Sequence, residues 1–356
     1  MSPPVIAVYG ATGHTGRLVA AELLARGQHI VLAGRRPDGL RDLAAELGEP
    51  DRVRTRVAPL DDPAVLRELA GGCAVLVHCA GPFAQTGAPV AAAAVEAGCH
   101  YVDHALEQHH VAHLVDDLQQ PAADAGVALI PGASFYGGYG DLLAHVVADG
   151  LGEVQRLVVG YAVTGWRMTV GARATAEQVI AELRRITFVD GRREVGYVEP
   201  RNAVFPFRPP LGPQTMVAPV PYHETITVPR HLPVRTVEAQ MTAHTFAPET
   251  FTGQDVDPPT RAASEYTVAV QAITADGGRT GQVTGRDLWR GAALVSVEAA
   301  LALVEPPGPA RGGVFSPAEA LRAGALLRRL ERAGALTTGP GLLAGEHDDE
   351  PLLRIR

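Results

Sequence analysis

A glycine-rich turn near the N-terminus constrains the fold of this chain more than any other segment. The heptad Gly10–Gly16, with the sequence GATGHTG, lies between the apolar run Val5–Tyr9 and a helical pattern that begins at Arg17. A strand, a glycine turn and a helix in this order can bind the pyrophosphate of a dinucleotide, because small residues let phosphate approach the backbone and the helix N-terminus offers unpaired N–H groups. An ordinary turn is the alternative, since the spacing differs from the commoner G-x-G-x-x-G. The predicted cofactor contacts here are Gly10, Thr12, Gly13, His14, Thr15 and Gly16.

Short β-rich runs alternate with helical stretches from residue 5 to about 131. The predicted strands are Val5–Tyr9, His29–Ala33, Val53–Val57, Ala74–His78, His100–Val102 and Ala128–Ile130. Helical patterns lie between them, near 15–26, 38–47, 63–70, 88–97 and 107–125. This alternation predicts an α/β fold, a Rossmann doubly wound parallel sheet with helices on both faces, over residues 1–131.

The pattern changes after Pro131-Gly132, where alternating Val, Thr and aromatic runs predict a second α+β domain with a mostly antiparallel sheet over 132–305. Hairpin turns are expected at Asp190-Gly191 and Asp276-Gly277-Gly278, and a helix at Thr175–Ile186. The prolines of Phe205–Pro221 favour a long connection or lid. Residues 306–356 should add a helix at about 317–333, which can pack back on the Rossmann domain, and a tail that is acidic at His347–Glu350.

The end of the second predicted strand indicates which dinucleotide binds. Proteins that select NAD usually place a carboxylate there for the ribose hydroxyl, whereas arginine suits the 2′-phosphate of NADP. Here the strand ends in Gly34-Arg35-Arg36, with no carboxylate before Asp38, so Arg35 and Arg36 predict NADP(H). Arginines on a plain surface turn are the alternative. The loop after the fourth strand should pass the nicotinamide half of the cofactor, with contacts from Cys79, Ala80, Gly81 and Pro82.

The absence of lysine restricts the chemistry that the chain can perform, because all 31 basic residues among its 356 are arginine. A Schiff base, a pyridoxal-phosphate linkage and a lysine general base each need an amine that can lose its proton, so all three are excluded. The Tyr-x-x-x-Lys pair of short-chain dehydrogenases is excluded too, since Gly140 follows Tyr136 at that spacing.

Composition limits which binding partners and which cellular compartment are expected. A formal charge of −8 gives no reason to expect nucleic acid, and no apolar stretch reaches the roughly 20 residues of a membrane helix. The N-terminus lacks the pattern of a signal peptide, so a cytoplasmic protein is expected. Three cysteines without ligand spacing argue against a disulfide framework, and no metal site is predicted. His109 and His113 lie four residues apart, but no further ligands accompany them.

Six segments together resemble the saccharopine dehydrogenase-like family of NADP-binding oxidoreductases, which includes saccharopine reductases and trans-acting enoyl reductases. These segments are Gly10–Gly16, Ala33–Arg35, Cys79–Phe83, Tyr101–Asp103, Pro131-Gly132 and Val228–His231. The resemblance spans about residues 5–330 and implies a Rossmann domain, a mixed α/β substrate domain and hydride transfer to a C=N or C=C bond. The chain departs from many relatives at Leu106-Glu107, where they have Gly-Glu, and in the aromatic segment Ala133–Asp141.

Hydride addition leaves one heavy atom of the substrate in need of a proton, so an acid is expected near the nicotinamide. The candidates after the fifth strand are His104 and Asp103, although Asp103 could simply cap a helix. After the sixth strand the candidate is Tyr139, with Tyr136 as the other tyrosine that could serve; either could instead form a wall of the pocket. Tyr136, Trp166 and Arg167 are the candidate substrate contacts, with Arg208 as a further arginine that suits an anionic group.

These patterns predict an NADPH-dependent reductase of a small-molecule substrate that acts on a C=N bond of an imine or iminium. Reduction of the enoyl C=C bond of a lipid or polyketide is the alternative within enzymes. A non-catalytic NADP(H)-binding regulatory protein is the alternative from another class. No membrane partner is expected, and strand pairing in the second domain leaves a homodimer open.

Overall fold

The computed structural model describes residues 3–251, 253, 256–344 and 351–355. Strands and helices alternate along the N-terminal part of the chain. The strands are β1 (Val5–Tyr9), β2 (His29–Gly34), β3 (Val53–Val57), β4 (Val75–His78), β5 (His100–Asp103) and β6 (Ala128–Ile130). The helices are α1 (His14–Ala25), α2 (Pro37–Leu47), α3 (Pro63–Gly71), α4 (Phe83–Glu96), α5 (Gln108–Asp124) and, after a π-turn at Phe135–Tyr139, α6 (Gly140–Ala148).

Strands dominate the rest of the chain. They are β7 (Arg156–Thr164), β8 (Arg184–Val189), β9 (Arg192–Tyr197), β10 (Arg201–Pro206), β11 (Pro213–Ala218), β12 (Val237–Thr242), β13 (Glu265–Thr274), β14 (Gly277–Arg286), β15 (Gly313–Val314) and β16 (Leu336–Thr338). The helices are α7 (Val170–Ala181), α8 (Glu224–Thr227), α9 (Pro258–Ala263), α10 (Leu288–Val304), α11 (Pro317–Ala320) and α12 (Ala323–Arg332). Within the described residues, no helix is both long enough and apolar enough to cross a bilayer.

The first sheet is the Rossmann sheet that the sequence predicts. Its seven strands are all parallel, in the order β15-β6-β5-β4-β1-β2-β3. The chain order reverses between β1 and β4, so the loops that follow these two strands lie side by side at the carboxyl edge. In open α/β sheets this switch point is where ligands bind.

The second sheet has nine strands and is mostly antiparallel, as predicted, with the order β10-β11-β12-β7-β13-β14-β16 and with β8 and β9 attached through β12. Only β7 and β12 pair in parallel. The hairpin turns expected at Asp190-Gly191 and Asp276–Gly278 join β8 to β9 and β13 to β14.

The C-terminal segments belong to both sheets. Helix α10, which the sequence assigned to the second domain, packs on α1, β4 and β5 of the first, and Glu298 on α10 pairs with Arg26 at 2.7 Å. Strand β15 extends the Rossmann sheet beside β6, whereas β16 extends the second sheet beside β14. The two sheets are therefore tied together by the same stretch of chain.

Three predicted elements take another form. The helix expected at Thr175–Ile186 begins and ends earlier, as α7, because Thr169 caps it and the alternating residues from Arg184 pair in β8. The segment Phe205–Pro221 is largely a hairpin of β10 and β11 rather than a lid, since Pro206 and Pro213 occupy strand ends on a sheet edge. The helix expected at 317–333 is broken into α11 and α12 at Leu321, and His347–Glu350 lie outside the described residues.

A buried hydrogen bond between His110 and Asp103 holds α5 against the sheet. The Nε2 atom of His110 donates to Oδ2 of Asp103 at 2.8 Å, and both side chains are almost fully excluded from solvent. The ring of His110 fits there because α4 has glycine at position 87, where a Cβ would lie 2.1 Å from the imidazole Cε1. The close approach of α4 and α5 therefore requires Gly87.

We expect Gly87→Ala to lower the free energy of unfolding by about 2 kcal/mol or more, because its methyl group overlaps the His110 ring and strains the pair with Asp103. The measurement is urea unfolding at neutral pH. The matched control is Gly71→Ala, also helical, whose Cβ would meet only the Ala97 methyl at 3.9 Å and which should be neutral or stabilising by up to about 1 kcal/mol. Equal stability of the two variants would contradict this account.

Candidate functional site

A cleft of about 1460 Å³ lies between the two sheets. Loops at the carboxyl edge of the Rossmann sheet form one wall, and α7, the β9–β10 connection and the N-terminal end of α10 contribute to the other. Eleven of the twelve predicted cofactor residues line this cleft, namely Gly10, Thr12, Gly13, His14, Thr15, Arg35, Arg36, Cys79, Ala80, Gly81 and Pro82. The structure thus brings together residues for which the sequence showed only that they follow the first, second and fourth strands.

The glycine turn forms a backbone cradle at one end of the cleft. Gly10 has a φ of +80°, and a Cβ there would lie 2.7 Å from the Cβ of Ala80 in the neighbouring loop. Gly13 is the N-cap of α1 and offers no side-chain cap, and Gly13, His14 and Thr15 line the cleft, so the positive end of the helix dipole faces a ligand bound there. Gly16 does not line the cleft as predicted, because it packs α1 on the turn, where a Cβ would lie 2.3 Å from the Gly10 carbonyl oxygen.

Two exposed arginines follow β2 beside this cradle. Arg36 donates to the hydroxyl of Thr12 at 3.3 Å, which fixes its guanidinium next to the glycine turn. Neither Arg35 nor Arg36 forms an ion pair within the described residues, and the nearby Asp38 pairs with Arg41 instead. A 2′-phosphate would find two unpaired positive charges there, so the residues present fit NADP(H).

Glu107 fixes the loops on the nicotinamide side of the cleft. Its Oε1 accepts from the N–H of Phe83 at 2.8 Å, and its Oε2 accepts from the N–H of Leu106 at 3.0 Å. The side chain is 5% exposed, and burial raises the pKa of its carboxyl above the ordinary range. One carboxylate therefore joins the loop after β4 to the loop after β5.

Cys79 lies in the same wall without the properties of a nucleophile. Burial raises the pKa of its thiol well above the usual value, so the thiol keeps its proton at neutral pH.

Aromatic residues form the far end of the cleft, which we call the substrate chamber. The ring of Tyr136 lies 5.1 Å from that of Tyr222 and 6.1 Å from that of Trp166, between ring centroids. The Tyr136 hydroxyl and the Trp166 indole nitrogen are both buried and have no hydrogen-bond partner within the described chain. Unpaired buried polar atoms are costly, so this chamber fits a ligand that supplies the missing partners.

His104 reaches the cleft but is poorly suited to the predicted role of proton donor. Burial lowers the pKa of its imidazole to about 4, so the ring is neutral at neutral pH. Ser296 gives its hydroxyl proton to the carbonyl of Ala293, and therefore its oxygen accepts from His104 Nε2 at 2.8 Å. Nδ1 must then accept from Ser134 at 3.1 Å. The single N–H of His104 is thus held in a structural bond.

The other two predicted acids lie outside the cleft wall. Asp103 is fully buried, and its Oδ1 accepts from the N–H groups of Ala105 and Gly132 at 2.9 and 2.8 Å. Burial alone would raise the pKa of Asp103, but His110 and these N–H groups lower it to about 2. It neither donates a proton nor caps a helix, but ties three segments together.

Tyr139 is also fully buried, behind the chamber. Among the described residues its hydroxyl has one hydrogen-bond partner, the hydroxyl of Tyr266 at 3.4 Å, and α10 covers it at Gly291. Arg167, a predicted substrate contact, is exposed and lies outside the cleft wall, whereas its neighbour Trp166 lines the cleft as predicted.

A carboxyl group with an unusual pKa is buried behind the chamber. Tyr161 donates its hydroxyl proton to Oε1 of Glu224 at 2.6 Å and accepts from the N–H of Gly137 at 3.0 Å. Oε2 of Glu224 has no partner within the described residues. Burial raises the pKa of Glu224 to about 7, although the Tyr161 bond opposes the shift. Glu224 is therefore largely protonated in the folded protein below neutral pH.

Several cleft residues are absent from the sequence-based prediction. Trp289 lies in the first turn of α10 and packs edge-on against His14, with 5.3 Å between ring centroids. Arg185 reaches the cleft from β8. Nothing in the local sequence distinguishes these residues from others of their type. Glu107 has one sequence signal, since it lies four residues after the end of β5, in the segment that departs from related sequences.

Comparison with known proteins relates the first sheet to one family. Residues 6–130 match the family model of the saccharopine dehydrogenase NADP binding domain. A trans-acting enoyl reductase of Mycobacterium ulcerans is 33% identical over 157 residues, and one of Mycobacterium tuberculosis is 32% identical over 158. In each case the match covers 42% of this chain and 38% of the relative, so the chain matches less than half of the length of these proteins.

A solved structure extends the similarity to both sheets. The apo saccharopine dehydrogenase (L-Glu forming) of Saccharomyces cerevisiae superposes with a TM-score of 0.62, over 94% of this chain and 99% of that one. The sequence identity is 11%, so this match concerns the fold.

We expect the double variant Arg35→Ala/Arg36→Ala to bind NADPH roughly 10- to 100-fold more weakly, because two charge-assisted contacts to the 2′-phosphate are lost. Affinity for NADH should change by less than about twofold, since NADH lacks that phosphate. Fluorescence titration of the reduced nucleotides measures both constants. The control is Arg41→Ala, whose guanidinium pairs with Asp38, and it should bind both nucleotides normally. Unchanged NADPH affinity in the double variant would refute the assignment.

Glu224 should impose a specific pH dependence on stability. The folded chain holds this proton up to about pH 7 and the unfolded chain releases it near 4.5, so the unfolded state binds fewer protons within this window. The group's contribution to the free energy of unfolding therefore falls as the pH rises through the window, by up to about 3 kcal/mol.

Glu224→Gln removes that proton equilibrium. Relative to the wild type, the variant should gain stability as urea unfolding is repeated from pH 5 to about pH 7, and the difference should level off between pH 7 and pH 8. Glu153→Gln, at an exposed position, serves as the control and should show no such trend. A constant difference between Glu224→Gln and the wild type across this range would show that the carboxyl titrates normally.

Proposed function

We propose that this chain, whose residues 6–130 match the saccharopine dehydrogenase NADP binding domain, is an NADPH-dependent reductase. The observation that carries the proposal is a single cleft that joins a phosphate-binding cradle to an aromatic chamber with an unpaired tyrosine hydroxyl. Bound NADPH would supply a hydride there. The glycine turn, Arg35 and Arg36 would hold the cofactor, and the second domain would exclude water from the substrate.

Between the two bonds that the sequence leaves open, the chamber favours the C=C bond of an apolar enoyl substrate over the C=N bond of an amino-acid-derived imine. Such an imine carries carboxylates that need charged partners. Beyond the cofactor cradle, the described residues of the cleft wall include one arginine, Arg185, which donates to the Val179 carbonyl at 3.0 Å, and one acid, Glu107, which accepts from two backbone N–H groups. A substrate with several carboxylates would therefore lack charged partners. The naming of two relatives as trans-acting enoyl reductases supports the same choice.

The mouth of the chamber adds a second argument for an apolar substrate. Along α7 and just after it, Val170, Ile180 and Leu183 are 64%, 52% and 62% exposed and line the cleft. Apolar side chains gathered on one exposed rim usually contact a ligand or partner. An acyl chain that leaves the chamber along this rim would cover them and gain about 25 cal/mol for each Å² buried.

Tyr136 is the residue that we assign as proton donor. Its ring lines the chamber, and its buried hydroxyl has no other partner within the described residues. Burial raises the pKa of this hydroxyl, so it remains protonated and can give its proton to the substrate atom that becomes basic after hydride addition. Glu107 and the neutral His104 would hold the surrounding loops in place.

The test follows NADPH absorbance with three substrate types: a long-chain trans-2-enoyl thioester, a short enoyl thioester and a cyclic imine. We expect the long-chain enoyl compound to have the highest kcat/KM, by roughly tenfold or more over the imine. Faster turnover of the imine would replace the enoyl assignment with the imine one. Tight NADPH binding without turnover of any compound would favour a regulatory protein.

Tyr136→Phe should lower kcat by roughly 100-fold with unchanged NADPH affinity, the usual loss for a general acid. Tyr139→Phe is the matched control, because the same hydroxyl is removed three residues away, in the core rather than in the chamber. It should retain nearly normal kcat. Full activity of Tyr136→Phe would remove this residue from the mechanism without affecting the cofactor assignment.

A further inference from the structure

A second cavity, of about 550 Å³, lies apart from the cleft and shares none of its lining residues. It is surrounded by the end of α6, the first half of β14, the start of α12, the residues that follow β16 and Arg354 near the C-terminus. Its volume is within the range of small-molecule sites. Arg208, which the sequence marked as a candidate for an anionic group, lies here rather than in the cleft.

Four arginines line this cavity against one carboxylate, that of Asp149, among the described residues. Arg208 donates to the carbonyl of Thr280 at 2.5 Å, and Arg354 donates to Nε2 of His145 at 2.9 Å. These partners are uncharged, because burial lowers the pKa of His145 to about 4 and a carbonyl carries no net charge. The contacts therefore orient the guanidinium groups without neutralising them.

Arg279 is held in the same manner. It donates to the carbonyls of Val147 and Asp149, at 3.1 and 2.9 Å, at the C-terminal end of α6. Arg208, Arg279 and Arg354 form no ion pair within the described residues. On a chain with a formal charge of −8, three oriented guanidinium groups that outnumber the one described carboxylate of the cavity are a local reversal of charge.

The backbone adds further donors on the same side. Helix α12 has ten residues and begins at Ala323, and no described side chain caps it. Ala323 and Gly324 both line the cavity, so the N–H groups of the first turn face a ligand bound there. Gly339 and Gly341 also line it, and their lack of side chains lets a ligand approach the backbone.

We infer that this cavity binds a compact phosphate-bearing anion with two or more negative charges, of the diphosphate class. Planar guanidinium groups bind phosphate oxygens in pairs, and a helix N-terminus complements them. The site is separate from the NADPH cradle, so it holds whether or not the chain is a reductase.

The test is calorimetric titration of the full chain with inorganic pyrophosphate in the presence of saturating NADP⁺, which occupies the cradle. We expect saturable binding of one equivalent that weakens as salt is added. Arg208→Gln and Arg354→Gln should each weaken it about tenfold, and the pair together about 100-fold. Arg192→Gln, at an exposed position on β9, is the matched control and should change the affinity by less than about twofold.

Three results would overturn the inference: no binding by a wild-type chain that folds normally, binding abolished by Arg35→Ala, or citrate binding as tightly as pyrophosphate. A fourth result would also overturn it, because acidic residues of the chain itself could take the place of a ligand. These residues are Glu346, Asp348, Asp349 and Glu350, which follow the cavity residue Ala344 in the sequence. If pyrophosphate binds only when these four are replaced by Gln or Asn, the chain supplies its own anion. Thermal unfolding of each arginine variant checks that it folds.

Discussion

The hydrogen bonds of one buried carboxylate determine how the cleft is assembled. Asp103 ends β5 and accepts from Ala105, from Gly132 after β6 and from His110 on α5. A buried charge is stable only when it is paired and hydrogen-bonded, so these three segments keep fixed positions relative to one another. The loop after β5 contains His104 and Glu107, and the segment after β6 leads to Tyr136. The chamber wall therefore depends on a residue that does not touch it.

Glu107 extends this arrangement to the loop that follows β4. The two carboxylates together connect the carboxyl ends of β4, β5 and β6 through backbone N–H groups. Backbone donors at a sheet edge would otherwise remain unpaired wherever the cofactor does not cover them. Side-chain carboxylates thus hold this edge on the substrate side. On the cradle side the glycine turn is held by its own backbone bonds, such as that from the N–H of Gly13 to the Gly10 carbonyl at 3.0 Å, and the start of α1 faces the cleft.

Local sequence signals predicted the Rossmann sheet, but they did not reveal which residues from distant segments reach the cleft. The strand-turn-helix around Gly10 and the two arginines after β2 are adjacent in sequence, so their spatial relation follows from the pattern of a single βαβ unit. Trp289, by contrast, reaches the cleft because α10 packs back on α1. No residue spacing in the sequence predicts that contact between distant helices. The sequence could not show that the N–H of His104 is held in a structural bond, because its partner Ser296 lies on a helix almost 200 residues further along the chain.

Tyr136 and Tyr139 show what separates a candidate acid from a core residue when the sequence offers both. A continuous α-helix would place residues three apart on one face, and both hydroxyls would then point the same way. Instead Gly137 has a φ of +81°, and a Cβ there would lie 2.0 Å from Nε2 of His223. The buried ring of His223 occupies the space beneath this turn and requires glycine above it. The turn therefore directs Tyr136 toward the chamber, while Tyr139 continues into the core against Tyr266 and α10. The position of the unpaired hydroxyl follows from one glycine and the imidazole beneath it.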